Sequence, residues 1–169
     1  MSQGTLYYFA LHGRAEGIRM MLDHAKVEFE DVKYSFKEWP EHKAKMPNGQ
    51  VPAWQPAGSD KILGQSGAIM HMLAVKHGYY SSDEMEIFNI EWVLESINDF
   101  VNTKCIYPLF ADTQTDEQLK AFETETDKLY KKMDEFLAGH GKKYMAADRV
   151  TLADFASFQH VLSFVRNPV

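Results

Sequence analysis

Four short stretches carry residues able to do chemistry on an anion. "YYFALHGRAEGIR", residues 7–19, sets two tyrosine hydroxyls before a Gly-Arg turn. A phenol that donates its proton, with a guanidinium beside it, favours the charged form of an acidic partner. Strand alternation sends Tyr7 and Tyr8 to opposite faces, so only one of them can serve. Arg14 either supports that hydroxyl or pairs with an acid such as Glu16. "GQVP" holds Val51-Pro52; a proline in a strand-like run has no amide to donate, and it is either an ordinary trans loop proline or a cis one that turns Val51 outward. Gln65-Ser66 opens a helix, where free amides and the dipole attract negative charge. Ser66 is the expected N-cap, which uses the same amides. Trp39 and Lys43 add an indole N–H and an ammonium, each able to donate to a carboxylate, or else to pack in a loop and sit in solvent.

The elements that must position these groups follow from periodicity. Residues 5–11 read as a buried strand. Residues 14–25 read as a helix, with Ile18, Met21, Leu22 and Ala25 on one stripe. Residues 29–36 alternate as a second strand, and strand–helix–strand in about 30 residues pairs strands in parallel. A short irregular helix is expected near 41–45. Residues 50–54 and 61–64 read as a hairpin with a loose turn. Residues 66–77 form a helix with Ile69, Met72, Leu73 and Lys76 on one face, stopped by Gly78. After a linker at "HGYYSSDE", strand signals end. Residues 85–107 and 115–137 read as helices, the second stopping at Gly139, and "TLADFASFQHVLSFV" as another. Thr151 and Asp154 form a capping box.

Composition narrows the class. The chain has 169 residues and a net charge of −6. Residues 1–80 carry nine Lys/Arg against eight Asp/Glu, and residues 81–169 nine against sixteen. An acidic second half argues against nucleic acid, which needs a basic face. Cys105 stands alone, so no internal disulfide forms, and a reducing compartment is the simpler assumption. No apolar run reaches membrane-spanning length, so no membrane insertion is expected, and the start lacks a signal-peptide pattern. The histidines show no metal spacing.

The order β-α-β-α-β-β-α followed by helices resembles the glutathione S-transferase plan. "YYFALHGRAEGIR" is similar to the sigma-class first strand and helix, "GQVP" to the segment before the family's cis-proline, "LGQSGAI" to its glutathione-gripping motif, and "VTLADF" to its late capping box. The resemblance implies a thioredoxin-like domain over 1–78 and a shortened all-α domain over 84–169. It implies glutathione as co-substrate, no metal, and a small apolar electrophile held between the domains, with prostaglandin isomerisation as a variant. Tyr8 and Arg14 take the catalytic roles. Trp39, Lys43, Gln50, Val51, Pro52, Gln65 and Ser66 bind glutathione. Asp99 reads as a solvated helix face and matches an acid that reaches across a dimer to the partner's glutathione. A cytoplasmic homodimer active in detoxification is implied.

Family members usually exceed 200 residues. The expectation from this shorter chain is a last helix exposing Phe158, Leu162 or Val165, so that the chain is either a truncated or fragmentary transferase or one whose surface another protein covers. The alternative function is therefore a catalytically weak or inactive subunit of a larger assembly, as in lens crystallins of related type.

Overall fold

A computed structural model describes residues 2–105, 113 and 115–165. The chain divides into two compact units between Gly78 and Tyr79. The first is built on β1 (Gly4–Phe9), α1 (Glu16–His24), β2 (Glu30–Tyr34), α2 (Trp39–Lys43), β3 (Ala53–Pro56) and α3 (Ser66–His77). Its sheet has the order β2-β1-β3, parallel between β1 and β2 and antiparallel between β1 and β3. The expected fourth strand contracts to a single bridge, Trp54 to Leu63. The short irregular helix begins at Trp39 rather than Glu41, with Pro40 tolerated in its first turn, where a missing amide costs nothing.

Alternation along β1 fixes what each face of the sheet meets. Leu6 and Tyr8 are buried, while Tyr7 and Phe9 are half-buried on the opposite side. Tyr7, Phe9, Val32, Trp39, Val51 and Ile62 pack against buried Tyr34, Met46 and Ala53. On α1, Ile18, Met21 and Leu22 are inaccessible, and this helix packs on α3. The inward face of α3 is Ile69, Met70, Leu73 and Ala74; Met72, expected inward, is exposed. One polar side chain ties this unit together. Arg19, only 9 % exposed, donates to both carboxylate oxygens of Asp31 (3.0 and 3.4 Å), to Glu16 (3.2 Å) and to the carbonyls of Leu11 (2.8 Å) and Phe9 (3.4 Å).

The second unit is helical: α4 (Glu84–Phe100), a π turn at Val101–Cys105, α5 (Asp116–His140), α6 (Leu152–His160) and a further π turn at Val161–Val165. Asp83 caps α4 by accepting from the amides of Met85 and Glu86. Thr115 and Gln118 exchange the two bonds of a capping box at α5. That helix ends at Gly141 rather than Gly139, because Gly141 takes the left-handed backbone (φ 66°) and donates to Leu137. Asp154 accepts from the Thr151 amide (2.8 Å), the Thr151 hydroxyl (3.0 Å) and the Met145 amide (3.0 Å) at the start of α6. Phe158 is exposed and Leu162 half-buried. The expected continuation of the first long helix to Tyr107 and the side chain of Val165 lie outside the described residues. Among the described residues no helix is long and apolar enough to cross a membrane.

His160 is fully buried on α6, with Nδ1 2.9 Å from the Tyr130 hydroxyl of α5 and its ring edge-on to Phe100 of α4. Burial lowers its pKa to about 4 and raises that of Tyr130 to about 12, so at neutral pH a neutral phenol meets a neutral imidazole.

Two outcomes are expected. Arg19→Met leaves Asp31 and Glu16 without their guanidinium and lowers unfolding free energy by about 3 kcal/mol, measured by urea titration. As pH falls from 6.5 to 4, the unfolded chain takes up the His160 proton and the folded chain resists it. This group therefore contributes fully above pH 6.5, and roughly 3 kcal/mol is lost by pH 4. Unfolding curves across that range should flatten in His160→Gln.

Candidate active site

The first unit encloses a cavity of about 430 Å³ lined by Phe9, Arg14, Trp39, Gly49, Gln50, Val51, Pro52, Gln65 and Ser66. Three connections converge on it: the β1–α1 turn, the loop entering β3, and the start of α3. Seven of the ten residues singled out from sequence are in its wall. Tyr8, Lys43 and Asp99 are not.

Tyr8 lies one hydrogen bond behind the wall. Its ring is buried, and its hydroxyl accepts the Arg14 amide at 2.9 Å. The Arg19 guanidinium sits 5.8 Å from the ring centre. Burial raises the phenol's pKa, against the lowering effect of the Arg14 amide and of the Arg14 and Arg19 charges. Tyr8 is thus protonated at neutral pH, and with its oxygen accepting from Arg14 it has one proton to donate. Tyr7, on the opposite face, already donates to Gln55 at 2.8 Å. The Tyr7 proton is therefore already committed. Gly13 makes the close approach possible. At φ 45° it takes a left-handed backbone, and a Cβ there would overlap the Tyr8 hydroxyl and come within 2.7 Å of Leu11 Cδ1.

Glu16 is held by Arg19 and by His12 Nδ1 at 3.1 Å. Arg19 reaches Glu16 from three residues further along the same helix face.

Opposite this corner, the Val51-Pro52 peptide is cis, and Val51 also packs on the Tyr34 core. Trp39 is half-buried, edge-on to Phe9 at 5.4 Å. Lys43 is exposed, with its stem along Gly49, where a Cβ would stand 3.3 Å from Lys43 Cε. At the third wall, Gln65 rather than Ser66 is the N-cap, and neither side chain makes a capping bond. Gln65 takes φ 71°, an unfavourable backbone for a non-glycine residue, which turns the chain so that Ser66 becomes the first helical residue. The first turn of α3 holds no acidic residue, so its amide end presents uncancelled positive potential. Asp99 is exposed on α4 in the other unit. Among the described residues no group of His, Cys, Asp or Glu gathers as a metal site.

Phe9 and Gly49 line the cavity without having been singled out. Phe9 could have been found from its alternation with Tyr7; nothing in "PNG" distinguishes Gly49 from an ordinary turn glycine.

A βαβ unit completed by an antiparallel strand and a helix, with a cavity at a strand-to-helix turn and a cis-proline, defines a thioredoxin-like domain. The glutathione S-transferase N-terminal domain model matches residues 2–74, and the corresponding C-terminal domain model matches residues 98–169. Glutathione S-transferase 1 of Ascaris suum is 32% identical over 159 residues, covering 91% of this chain and 76% of its own length. Hematopoietic prostaglandin D synthase of Gallus gallus is also 32% identical over 159 residues, covering 92% and 76%. The solved structure of the Fasciola hepatica sigma class GST superposes with a TM-score of 0.81 at 30% identity, covering 94% of this chain and 80% of that one. The chain belongs to the glutathione S-transferase family, an enzyme family that uses glutathione as co-substrate.

Gly13→Ala should push the Tyr8 hydroxyl off the Arg14 amide. The expected result is a loss of about 2 kcal/mol in stability, measured by chemical denaturation, together with reduced glutathione-dependent turnover.

Proposed function

We propose that residues 1–78 form the glutathione-binding domain and that Tyr8 donates its hydroxyl proton toward the bound sulfur. A free thiol is only a few per cent ionised at neutral pH, and a donor aimed at it favours the thiolate. The observation that carries this reading is the Tyr8 hydroxyl itself: neutral, and fixed through the Arg14 amide. Arg14 adds positive potential at the same corner. The Val51 backbone pairs with the tripeptide as an added strand would. Gln65 and Ser66, with the amide end of α3, receive the γ-glutamyl carboxylate. Trp39, Lys43 and Gln50 receive the glycyl end.

The ionised sulfur then attacks an electrophilic carbon of a small apolar substrate. With an aryl halide, the C–S bond forms, the carbon–halogen bond breaks, and halide leaves with the bonding pair; the thiol proton passes to solvent. The likeness to the Gallus gallus prostaglandin D synthase supports a prostaglandin-isomerising variant of this chemistry. The likeness to the Fasciola hepatica sigma class GST supports a sigma-like member, and a role in cytoplasmic detoxification goes with that reading. The exposed position of Asp99 suits a homodimer in which it faces the partner's glutathione. An inactive structural subunit is not favoured, since the cavity keeps Arg14, Gln50, Val51, Pro52, Gln65 and Ser66 together.

Tyr8→Phe should retain glutathione binding by calorimetry and lower turnover of a model aryl halide by about ten- to a hundredfold at pH 6.5. Each unit by which the bound thiol's pKa rises removes 1.4 kcal/mol of thiolate preference. The remaining activity should climb with pH, displaced to the alkaline side of the wild-type profile. Unchanged turnover would remove Tyr8 from the mechanism.

A further inference from the structure

We propose that Gly64 is a positioning residue that sets the width of the glutathione cavity by letting the Pro47 turn lie against it. This rests on the glutathione reading of that cavity. Gly64 directly precedes Gln65 and Ser66, which line the cavity, and abuts Pro47, whose turn leads into the lining residues Gly49 to Pro52; it is not itself among the lining residues. A Cβ on Gly64 would come 2.9 Å from Pro47 Cβ, 3.6 Å from Pro47 Cγ and 3.9 Å from the Pro47 carbonyl oxygen. The first distance is shorter than two carbons tolerate, so something must move.

Gly64 itself is pinned on both sides. Leu63 exchanges two backbone hydrogen bonds with Trp54, each 2.8 Å, and Trp54 is almost wholly buried in β3. The Gln65 carbonyl accepts from Ile69 at 3.0 Å, anchoring the start of α3. The obstructing atoms at Pro47 belong to a rigid ring with no rotamer to escape into. The yielding element is therefore the turn at Pro47–Gly49. Its backbone is tightly folded, with Asn48 at φ 56° and Gly49 at φ 60°. Its carbonyl at Pro47, which faces Gly64, accepts the amide of Gln50 at 3.1 Å. A side chain at 64 thus displaces Gln50 and Gly49 away from Gln65 and Ser66. A tripeptide held at one wall by its backbone and at the other by its γ-glutamyl carboxylate is sensitive to that spacing, because both anchors must be met at once.

The test measures glutathione affinity by calorimetry, and KM and kcat with a model aryl halide, in four proteins: wild type, Gly64→Ala, Pro47→Gly and the double variant. Gly64→Ala is expected to weaken glutathione binding about tenfold and raise its KM to match, with kcat at saturating glutathione within about twofold of wild type. In the double variant the overlapping Pro47 atoms are gone, and most of the loss relative to Pro47→Gly alone should be recovered. Wild-type affinity in Gly64→Ala, or a loss simply additive with Pro47→Gly, would overturn the proposal. Should Gly64→Ala not fold, the double variant must fold and bind; a double variant that also fails overturns it. Wild type that takes up no glutathione would overturn the underlying reading of the cavity, and this inference with it.

Discussion

The first unit depends on the Arg19 guanidinium. Acceptors from three places in the sequence end on it: carbonyls of the chain leaving β1, a carboxylate one turn back on α1, and both oxygens of Asp31 on β2. The planar fork suits this task, since its donors diverge in fixed directions while the charge stays delocalised. Removing such a group is costly because the acids it serves are themselves poorly hydrated, with side chains 14% and 21% exposed. What it holds is the path from strand to helix, and that path carries Gly13, Arg14 and the hydroxyl of Tyr8. The cavity corner is thus rigid by virtue of a residue that never reaches it.

Much of this arrangement was legible in the sequence. The stripe Ile18, Met21, Leu22, the alternation around Tyr7 and Tyr8, and the order of short motifs led to the parallel β1–β2 pair and to seven residues of the cavity wall. Arg19 escaped notice because it occupies a position on the inward face of α1, where side-chain type says exposed and only its partners make it buried. Likewise Tyr7 donates to Gln55, forty-eight residues away, a partner that no local pattern reveals.

The errors share a physical origin. Ser66 looked like a cap because serine caps are common, yet the chain enters α3 through a strained Gln65, and only backbone angles register that. Two glycines in "LAGHG" offered two stops for α5; the left-handed turn fell on the second. The hairpin lost its second strand because Leu63 pairs with Trp54 while Gly64 already bends toward α3. Where the signal was a reciprocal pair, as at Thr151–Asp154, sequence and structure meet to the residue, since both partners must be present for the cap to close.

Arg14 is the sole ionisable side chain among the residues that line the cavity. The remaining lining consists of amides, an indole, a hydroxyl, a glycine and apolar groups, while the phenol behind it is held still further from ionising. The pocket thus carries one charged side chain set among neutral ones. An incoming anion accordingly finds a single point of strong attraction in the lining and weaker dipoles everywhere else.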